Sequence, residues 1–317
     1  MSSSSNPATL WKKEVVPDIK IKIEKEQKTK ERKQKNKKRK QEESQNKAEY
    51  IDTECQKHNI IVGLDISMNS PGICIINRFC DEKKKEPIIR IEVIGFHKTQ
   101  KQLKIKKELE KQVFLFTFQN IVYQVHFTLL ENFSNVEDKK STTSDSDEKE
   151  NGDDGKEEEE EENEDKGLKQ TQKFEYLTSQ IMKCLLISAQ PQDIFVIIED
   201  YAYDILRNQP TSSVTGLAEI GGVIRNKLLK SGISFSSVPP PSVKKNFTGK
   251  GGKSKQEMFD YFTKLTNISL EKLIPGSFNK EIPNPHQDMV DSFAIAFPFH
   301  IKSGKSVSSS SNKKMRK

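Results

Sequence analysis

The sequence is poor in apolar residues and has no long run of them. Of its 317 residues, 33% are hydrophobic and 31% are charged, so part of the chain is expected to be solvated rather than packed in a core. The most apolar stretch, 113–130, is broken by polar residues, whereas a membrane helix needs about eighteen apolar residues in succession. The first residues lack the apolar core of a secretory signal. We therefore expect no membrane partner.

Cysteine is scarce, and the four cysteines form no C-x-x-C pair. Neither a zinc site nor a disulfide framework is indicated. Cys74 and Cys184 stand in apolar runs and are predicted to be small buried residues. This usage fits a reducing compartment inside the cell best.

The net charge is +7, and the charged residues are unevenly distributed along the chain. Residues 30–40 hold eight Lys or Arg, whereas residues 145–165 hold fourteen Asp or Glu and two Lys. The excess of positive charge elsewhere favours a polyanionic partner. The basic stretch fits a nuclear-localisation or DNA-tethering segment, with a plain solvated tail as the alternative. We predict a nuclear protein, or alternatively a mitochondrial or other organellar one.

Composition divides the chain into one foldable domain and three segments predicted to be disordered. These segments are a basic leader at 1–57 with at most marginal helix, an acidic insertion at 134–170 and a Ser/Lys tail at 303–317. A surface loop accommodates such an insertion at small entropic cost. Residues 59–302 are therefore predicted to form a single domain despite the interruption.

The foldable part alternates strand-like and helix-like segments. Strands are predicted at 60–66, 73–77, 88–96, 194–200 and 233–238, and helices at 174–189, 214–229, 254–265 and 288–297. The first two strands are predicted to pair as a hairpin, and the segment 101–132 fits either a helix followed by a strand or one long helix. The order predicts an α/β fold with a mixed sheet flanked by helices.

Four carboxylates occur on elements that are otherwise apolar. Asp65 and Glu199 each end a strand, and Asp288 and Asp291 share one face of an apolar helix because they are three residues apart. Buried carboxylates are costly unless they are paired or bind a cation, so one shared partner is indicated. Oxygen ligands without thiols suit Mg²⁺ or Mn²⁺, and two such ions about 3.5–4 Å apart support phosphodiester hydrolysis. Taken singly, each acid also fits a helix cap or a salt bridge.

A lysine- and glycine-rich segment at 239–255 is the second informative stretch. It is predicted to be a loop from 243 onward, and its glycines permit close approach to a phosphate. Its candidate nucleic-acid contacts are Lys244, Lys245, Lys250, Lys253 and Phe247. The aromatic ring either stacks on a base or anchors the loop. The glycine spacing is not that of a nucleotide-binding P-loop, and a flexible lysine loop is the plain alternative.

These motifs together resemble RuvC-type Holliday-junction resolvases of the RNase H-like superfamily. The resemblance lies in GLDIS at 63–67 with Gly72, in the helix at 174–189 followed by QPQDIFVIIE at 190–199, in the segment 243–255, and in DMVDSFAIA at 288–296. The four motifs occur in the family's order and span essentially the whole foldable part. The departure is the 134-residue spacing between Asp65 and Glu199.

The resemblance implies an RNase H-like fold, a homodimer and cleavage of four-way DNA junctions. It assigns the metal ligands to Asp65, Glu199, Asp288 and Asp291, and it makes Lys244 and Lys255 contacts to the scissile region, with Lys255 also among the catalytic residues. Asp200 follows Glu199 directly, and strand alternation allows only one of them to face the ions.

Other functions fit part of this pattern. Another RNase H-like nuclease, acting on flaps, RNA–DNA hybrids or transposon ends, would use the same four acids. A non-catalytic DNA-binding module is disfavoured because carboxylates beside DNA repel phosphate unless a metal intervenes. An ATPase of the actin or sugar-kinase type is disfavoured because further glycine-rich phosphate loops are lacking.

Overall fold

The structure, a computed structural model, describes residues 15–78, 89–97, 99–133, 157–200, 211–276, 278 and 282–311. Within these ranges, side chains are described except at 15–24, 100, 157–166, 188, 211–214 and 304–311. Residues 1–14 of the predicted leader, 134–156 of the insertion and 312–317 of the tail lie outside the described residues. The chain divides into two units, Met1–Ile51 and Asp52–Lys317.

The described part of the leader is one long helix, α1 (Val15–Lys57), where the composition predicted disorder with at most marginal helix. Lys, Glu and Gln are good helix formers, and the single proline of this stretch, Pro17, lies in the first turn, where proline is tolerated. Residues 25–50 are exposed. Local propensity and pairs such as Arg39–Glu43, 3.2 Å apart, therefore support the helix there rather than burial.

The second unit contains a mixed sheet of seven described strands in the order β4-β5-β3-β2-β1-β6-β7. The strands are β1 (Ile60–Asp65), β2 (Gly72–Asn77), β3 (Ile89–His97), β4 (Phe114–Phe118), β5 (Ile121–Glu131), β6 (Ile194–Glu199) and β7 (Ser234–Val238). The first three strands form an antiparallel meander, and β1, β6 and β7 are parallel. The predicted hairpin and the α/β fold with a mixed sheet flanked by helices are confirmed.

The ambiguous segment 101–132 forms helix α2 (Gln100–Leu109) followed by the hairpin of β4 and β5. Gln119 and Asn120 join the two strands with φ angles of 50° and 64°. Such left-handed positions suit the two-residue turns that connect antiparallel strands. The helix-then-strand alternative is therefore the correct one, with a second strand added.

Two helices cover one face of the sheet, α3 (Glu157–Ser188) and α4 (Thr211–Lys230). Alternate residues of the central strands, such as Val62, Ile75 and Val196, pack with Leu177 and Ile224 of these helices in one buried core. A 3₁₀ turn (Pro191–Asp193) leads from α3 into β6. Residues 157–170, predicted to be disordered, form the first turns of α3. The helix therefore starts well before 174, where the helical spacing of apolar residues begins.

The helices α5 (Pro240–Thr248), α6 (Lys255–Thr266), α7 (Leu270–Leu273) and α8 (His286–Ser311) complete the described fold. The predicted loop from 243 was wrong in its first half, because α5 occupies it and ends at Gly249, where φ is 84°. Prolines in the first turn are compatible with a helix start. The helix α8 packs on β1, β2 and β3 and extends to 311, into the predicted tail. None of the described helices is long and apolar enough to cross a membrane.

Candidate active site

Asp65 and Glu199 lie side by side at the carboxyl ends of two neighbouring parallel strands. Leu64 of β1 pairs with Ile198 of β6, so the residue that follows each of them is next to the other. Neighbouring strands are about 4.8 Å apart. Asp65 lies on the same side of the sheet as Gly63, two residues earlier, which is the side that α8 covers. The strand pairing therefore places two of the predicted acids together beneath that helix.

Glycines in the sheet allow the backbone of α8 to lie directly on it. A Cβ atom on Gly72, the strand partner of Asp65, would lie 1.9 Å from the carbonyl oxygen of Asp288. A Cβ atom on Gly63 would lie 2.2 Å from the carbonyl oxygen of Ser292. Side chains at these two positions would hold the helix away from the sheet. Their absence brings the first turns of α8 over the end of β1.

The charges of the acids act on one another. Burial raises the pKa of Asp65 well above its usual range, and the charges of Glu199, Asp291 and Asp288 raise it further. Burial, followed by the charge of Asp291, raises the pKa of Glu199 to about 7. Burial also raises the pKa of Asp291. Asp288 is 5% exposed, and the other three acids are partly exposed, so solvent reaches part of this group of acids.

The structure distinguishes Glu199 from the acid that follows it. An oxygen of Asp200 lies 3.6 Å from the Arg225 guanidinium on α4, on the opposite face of the sheet from α8. Alternation along the strand sends consecutive side chains to opposite faces. Glu199 is therefore the acid directed toward the α8 side.

Two of the acids accept hydrogen bonds from residues that the sequence did not single out. The Ser70 hydroxyl donates to Oδ2 of Asp288 over 2.6 Å, and the amide nitrogen of Gln287 donates to Oδ2 of Asp291 over 2.6 Å. Ser70 stands in the turn between β1 and β2, where polar residues are common, and Gln287 precedes an acid already noted. Neither position carried a sequence signal for this role.

Two of the predicted lysines act on the acids. The positive charges of Lys244, on α5, and Lys255, the first residue of α6, both oppose the rise in the pKa of Glu199 and Asp291. Lys255 acts on Asp65 as well. The side of the site next to α5 and α6 is therefore positively charged.

The remaining predicted nucleic-acid contacts are placed differently. Lys245 and Lys250 are exposed, whereas Lys253 forms an ion pair with Glu257 one turn into α6. Phe247 is 5% exposed, and its ring contacts those of Tyr261 and Phe293. The stacking role considered for Phe247 is therefore wrong in this structure, because the ring is buried, and the ring instead anchors α5 against α6 and α8.

The donor chemistry of the site fits a hard divalent cation. Its candidate ligands are carboxylate oxygens, which Mg²⁺ and Mn²⁺ prefer, and their raised pKa values show that no cationic side chain fully compensates them. Across the described ranges, however, no three His, Cys, Asp or Glu side chains stand in the mutual arrangement of a metal-binding group. The residues thus suit the ion chemically, while ligand geometry is not formed by the side chains as they stand.

Comparison with known proteins finds similar solved structures. No protein-family model matches the chain, and no curated protein does. Solved structures do match, including RuvC of Thermus thermophilus, which is 11% identical with a TM-score of 0.37 over 78% of this chain and 96% of that one. The chain resembles RuvC-type resolvases.

Two further solved structures are similar to the chain at the same 11% identity. One is T. thermophilus RuvC in complex with a Holliday-junction substrate, with a TM-score of 0.36 over 78% of this chain and 96% of that one. The other is the yeast mitochondrial Holliday junction resolvase Ydc2, with a TM-score of 0.36 over 82% of this chain and 94% of that one.

Proposed function

We propose that this protein is a metal-dependent endonuclease that cuts branched DNA, with the four-way junction as its substrate. The observation that supports the proposal is the position of Asp65 and Glu199 at neighbouring strand ends beneath α8, the helix that carries Asp288 and Asp291. The charges of Lys244 and Lys255 act on the same group of acids. Acids that raise one another's pKa oppose folding when they ionise. A binding or catalytic role explains why they are grouped, whereas a purely structural role does not.

The arrangement of charge suits a phosphodiester substrate. The carboxylates alone would repel DNA, so the proposal assigns them to one or two Mg²⁺ or Mn²⁺ ions. Such ions supply Lewis-acid activation of water and stabilisation of the leaving oxygen. Lys244 and Lys255 stand where a phosphate next to the acids would need positive charge. The expected products carry a 5′-phosphate and a 3′-hydroxyl group.

The surface around the acids supplies further contacts for the DNA backbone. Lys245 and Lys250 are exposed on α5 and on the turn after it. Lysines gain binding energy by neutralising phosphates and releasing counterions, without reading base sequence. Recognition of a junction by shape is compatible with such contacts. A homodimer, which would present two sites to opposed strands, belongs to the same proposal.

Cleavage of synthetic DNA tests the proposal directly. The purified protein is incubated with a four-way junction, a flap and an RNA–DNA hybrid, in Mg²⁺ or in EDTA. We expect Mg²⁺-dependent cutting that is strongest on the junction. Equal cutting of all three substrates would refute the junction preference but not the nuclease, and no cutting of any of them by protein that binds junction DNA would favour a non-catalytic DNA-binding module.

A pair of neighbouring substitutions provides the matched control. Asp65→Asn should abolish cutting, by a factor of 10³ or more, while junction binding is kept or strengthened because a carboxylate near phosphate is removed. Asp200→Asn changes an acid just after Glu199 that pairs with Arg225 instead, and it should cut like the wild type. Retained cutting by the Asp65 variant would remove that residue from the site.

The compartment remains a proposal as well. One similar structure is of a mitochondrial protein, which is consistent with an organellar location. The nuclear prediction receives no support from the comparisons. Imaging of the tagged full chain separates the two.

A further inference from the structure

The two acids of α8 are each held by a buried hydrogen-bond donor. Ser70 and Gln287 are 0% and 2% exposed, and each donates over 2.6 Å to one carboxylate, Asp288 and Asp291 respectively. A hydrogen bond to a charged group stabilises it more than a neutral pair does. Neither donor belongs to the four acids or the lysines of the proposed chemistry.

The turn that carries Ser70 is fixed from several sides. The Ser67 hydroxyl accepts a hydrogen bond from the Ser70 backbone N–H over 2.8 Å. The carbonyl of Asn69 accepts from the Asn132 amide over 2.9 Å, and the Asn69 side chain accepts from Lys173. The end of β5 and the helix α3 thus both brace the turn that directly follows Asp65. A braced turn places the Ser70 hydroxyl at a defined position relative to Asp288.

Gln287 is fixed in a different way. Its side chain stands one helical turn before Asp291 on α8, so the pair has i,i+4 spacing. Its amide oxygen is buried and accepts no hydrogen bond within the described part of the chain. A buried amide that leaves one of its polar atoms unsatisfied carries a cost, and the 2.6 Å hydrogen bond to the Asp291 carboxylate offsets part of it.

We propose that Ser70 and Gln287 are positioning residues that orient Asp288 and Asp291 for binding of a divalent cation. This inference rests on the proposed function. Partners that hydrogen-bond to metal ligands typically change metal affinity or activity 10- to 100-fold when they are removed. Ser70 joins the loop after Asp65 to the helix that carries Asp288, so it also couples the two halves of the site across 218 positions of sequence.

The test measures binding of Mn²⁺ alone by calorimetry in the wild type, Ser70→Ala, Gln287→Met and Ser292→Ala. Ser292 is the matched control, since it is also 0% exposed and on α8 but donates to the carbonyl of Met289 in its own helix. We expect about 10-fold weaker Mn²⁺ binding in the first two variants and unchanged binding in the third. Thermal unfolding in EDTA reports any loss of folding separately.

Cleavage as a function of Mn²⁺ concentration supplies the second readout. The Ser70 and Gln287 variants should need about tenfold more Mn²⁺ for half-maximal cutting and approach the wild-type rate when the ion is saturating. Binding and cutting like Ser292→Ala in both variants would overturn the positioning role while leaving the nuclease intact. Absence of both Mn²⁺ binding and cutting in the wild type would overturn the proposed function and this inference together.

Discussion

Gly72→Ala perturbs the site without touching a charged group. The added Cβ would lie 1.9 Å from the Asp288 carbonyl oxygen, whereas real Cβ contacts are essentially never under 3.0 Å. The first turn of α8 must therefore retreat by about 1 Å. Displacements of this size in an active site reduce rates by about 100-fold, and strain of this kind costs about 1–3 kcal/mol of folding free energy. For a domain of 150–250 residues that loss lowers Tm by roughly 2–12 °C.

Junction cleavage at 25 °C and thermal unfolding of the same preparations measure both effects. Gly222→Ala is the control, because nothing lies within 4 Å of a Cβ at that exposed helical position. It should cut normally and gain about 0.5–1 kcal/mol in stability from the higher helix propensity of alanine. Wild-type Tm and wild-type cutting by Gly72→Ala would refute the close packing of α8 on β2 and the dependence of the site on it.

Three further predictions concern charge and packing. Burial raises the pKa of Glu199 from its ordinary 4.5 to about 7, so between these pH values the folded state binds a proton that the unfolded state has lost. Stability of the protein in EDTA should therefore fall by about 3 kcal/mol between pH 4.5 and 7. Urea unfolding of Glu199→Gln should show a shallower fall, and an equal fall would contradict the assignment. Lys255→Ala should slow cutting by 10²-fold or more with little change in Tm. Lys250→Ala should mainly weaken DNA binding and reduce the salt dependence of that binding by about one unit of slope. Equal effects of the two substitutions on cutting and binding would mean that Lys255 does not act at the acids. Phe247→Ala should lower the free energy of unfolding by about 3–5 kcal/mol, measured in urea. If this variant instead has normal stability and binds DNA weakly, the ring of Phe247 stacks on a base.

Much of the sheet was predictable because its strands are short apolar runs with clear ends. Asp65 and Glu199 interrupt those runs, so the strand order along the chain was enough to expect them at one edge. The spacing of Asp288 and Asp291 likewise predicted a shared helix face. What periodicity does not encode is the distance of that helix from the sheet, which depends on Gly63 and Gly72.

Where the structure differs from the sequence-based predictions, the physical causes are of the same kind. Polar composition predicted disorder at 15–57 and 157–170, yet these stretches are rich in good helix formers and are helical. Lysines and glycines predicted a loop from 243, although prolines at its start favoured the helix α5. Phe247 was ambiguous because burial by Tyr261 and Phe293 depends on tertiary packing. Ser70 was missed because its hydrogen bond to Asp288 spans 218 positions of sequence. Gln287 was missed because i,i+4 spacing alone does not show that its amide bonds to Asp291.

The contribution of α8 to the site has a consequence for the order of events in the cell. Domains are made from the amino-terminal end and fold as units, and Asp65 emerges from the ribosome long before Asp288 and Asp291 do. Until α8 packs against Gly63 and Gly72 of the sheet, two of the four acids are absent from the site. Under the proposed function, a nascent or truncated chain without this helix would lack two of the four acids and would not cut DNA.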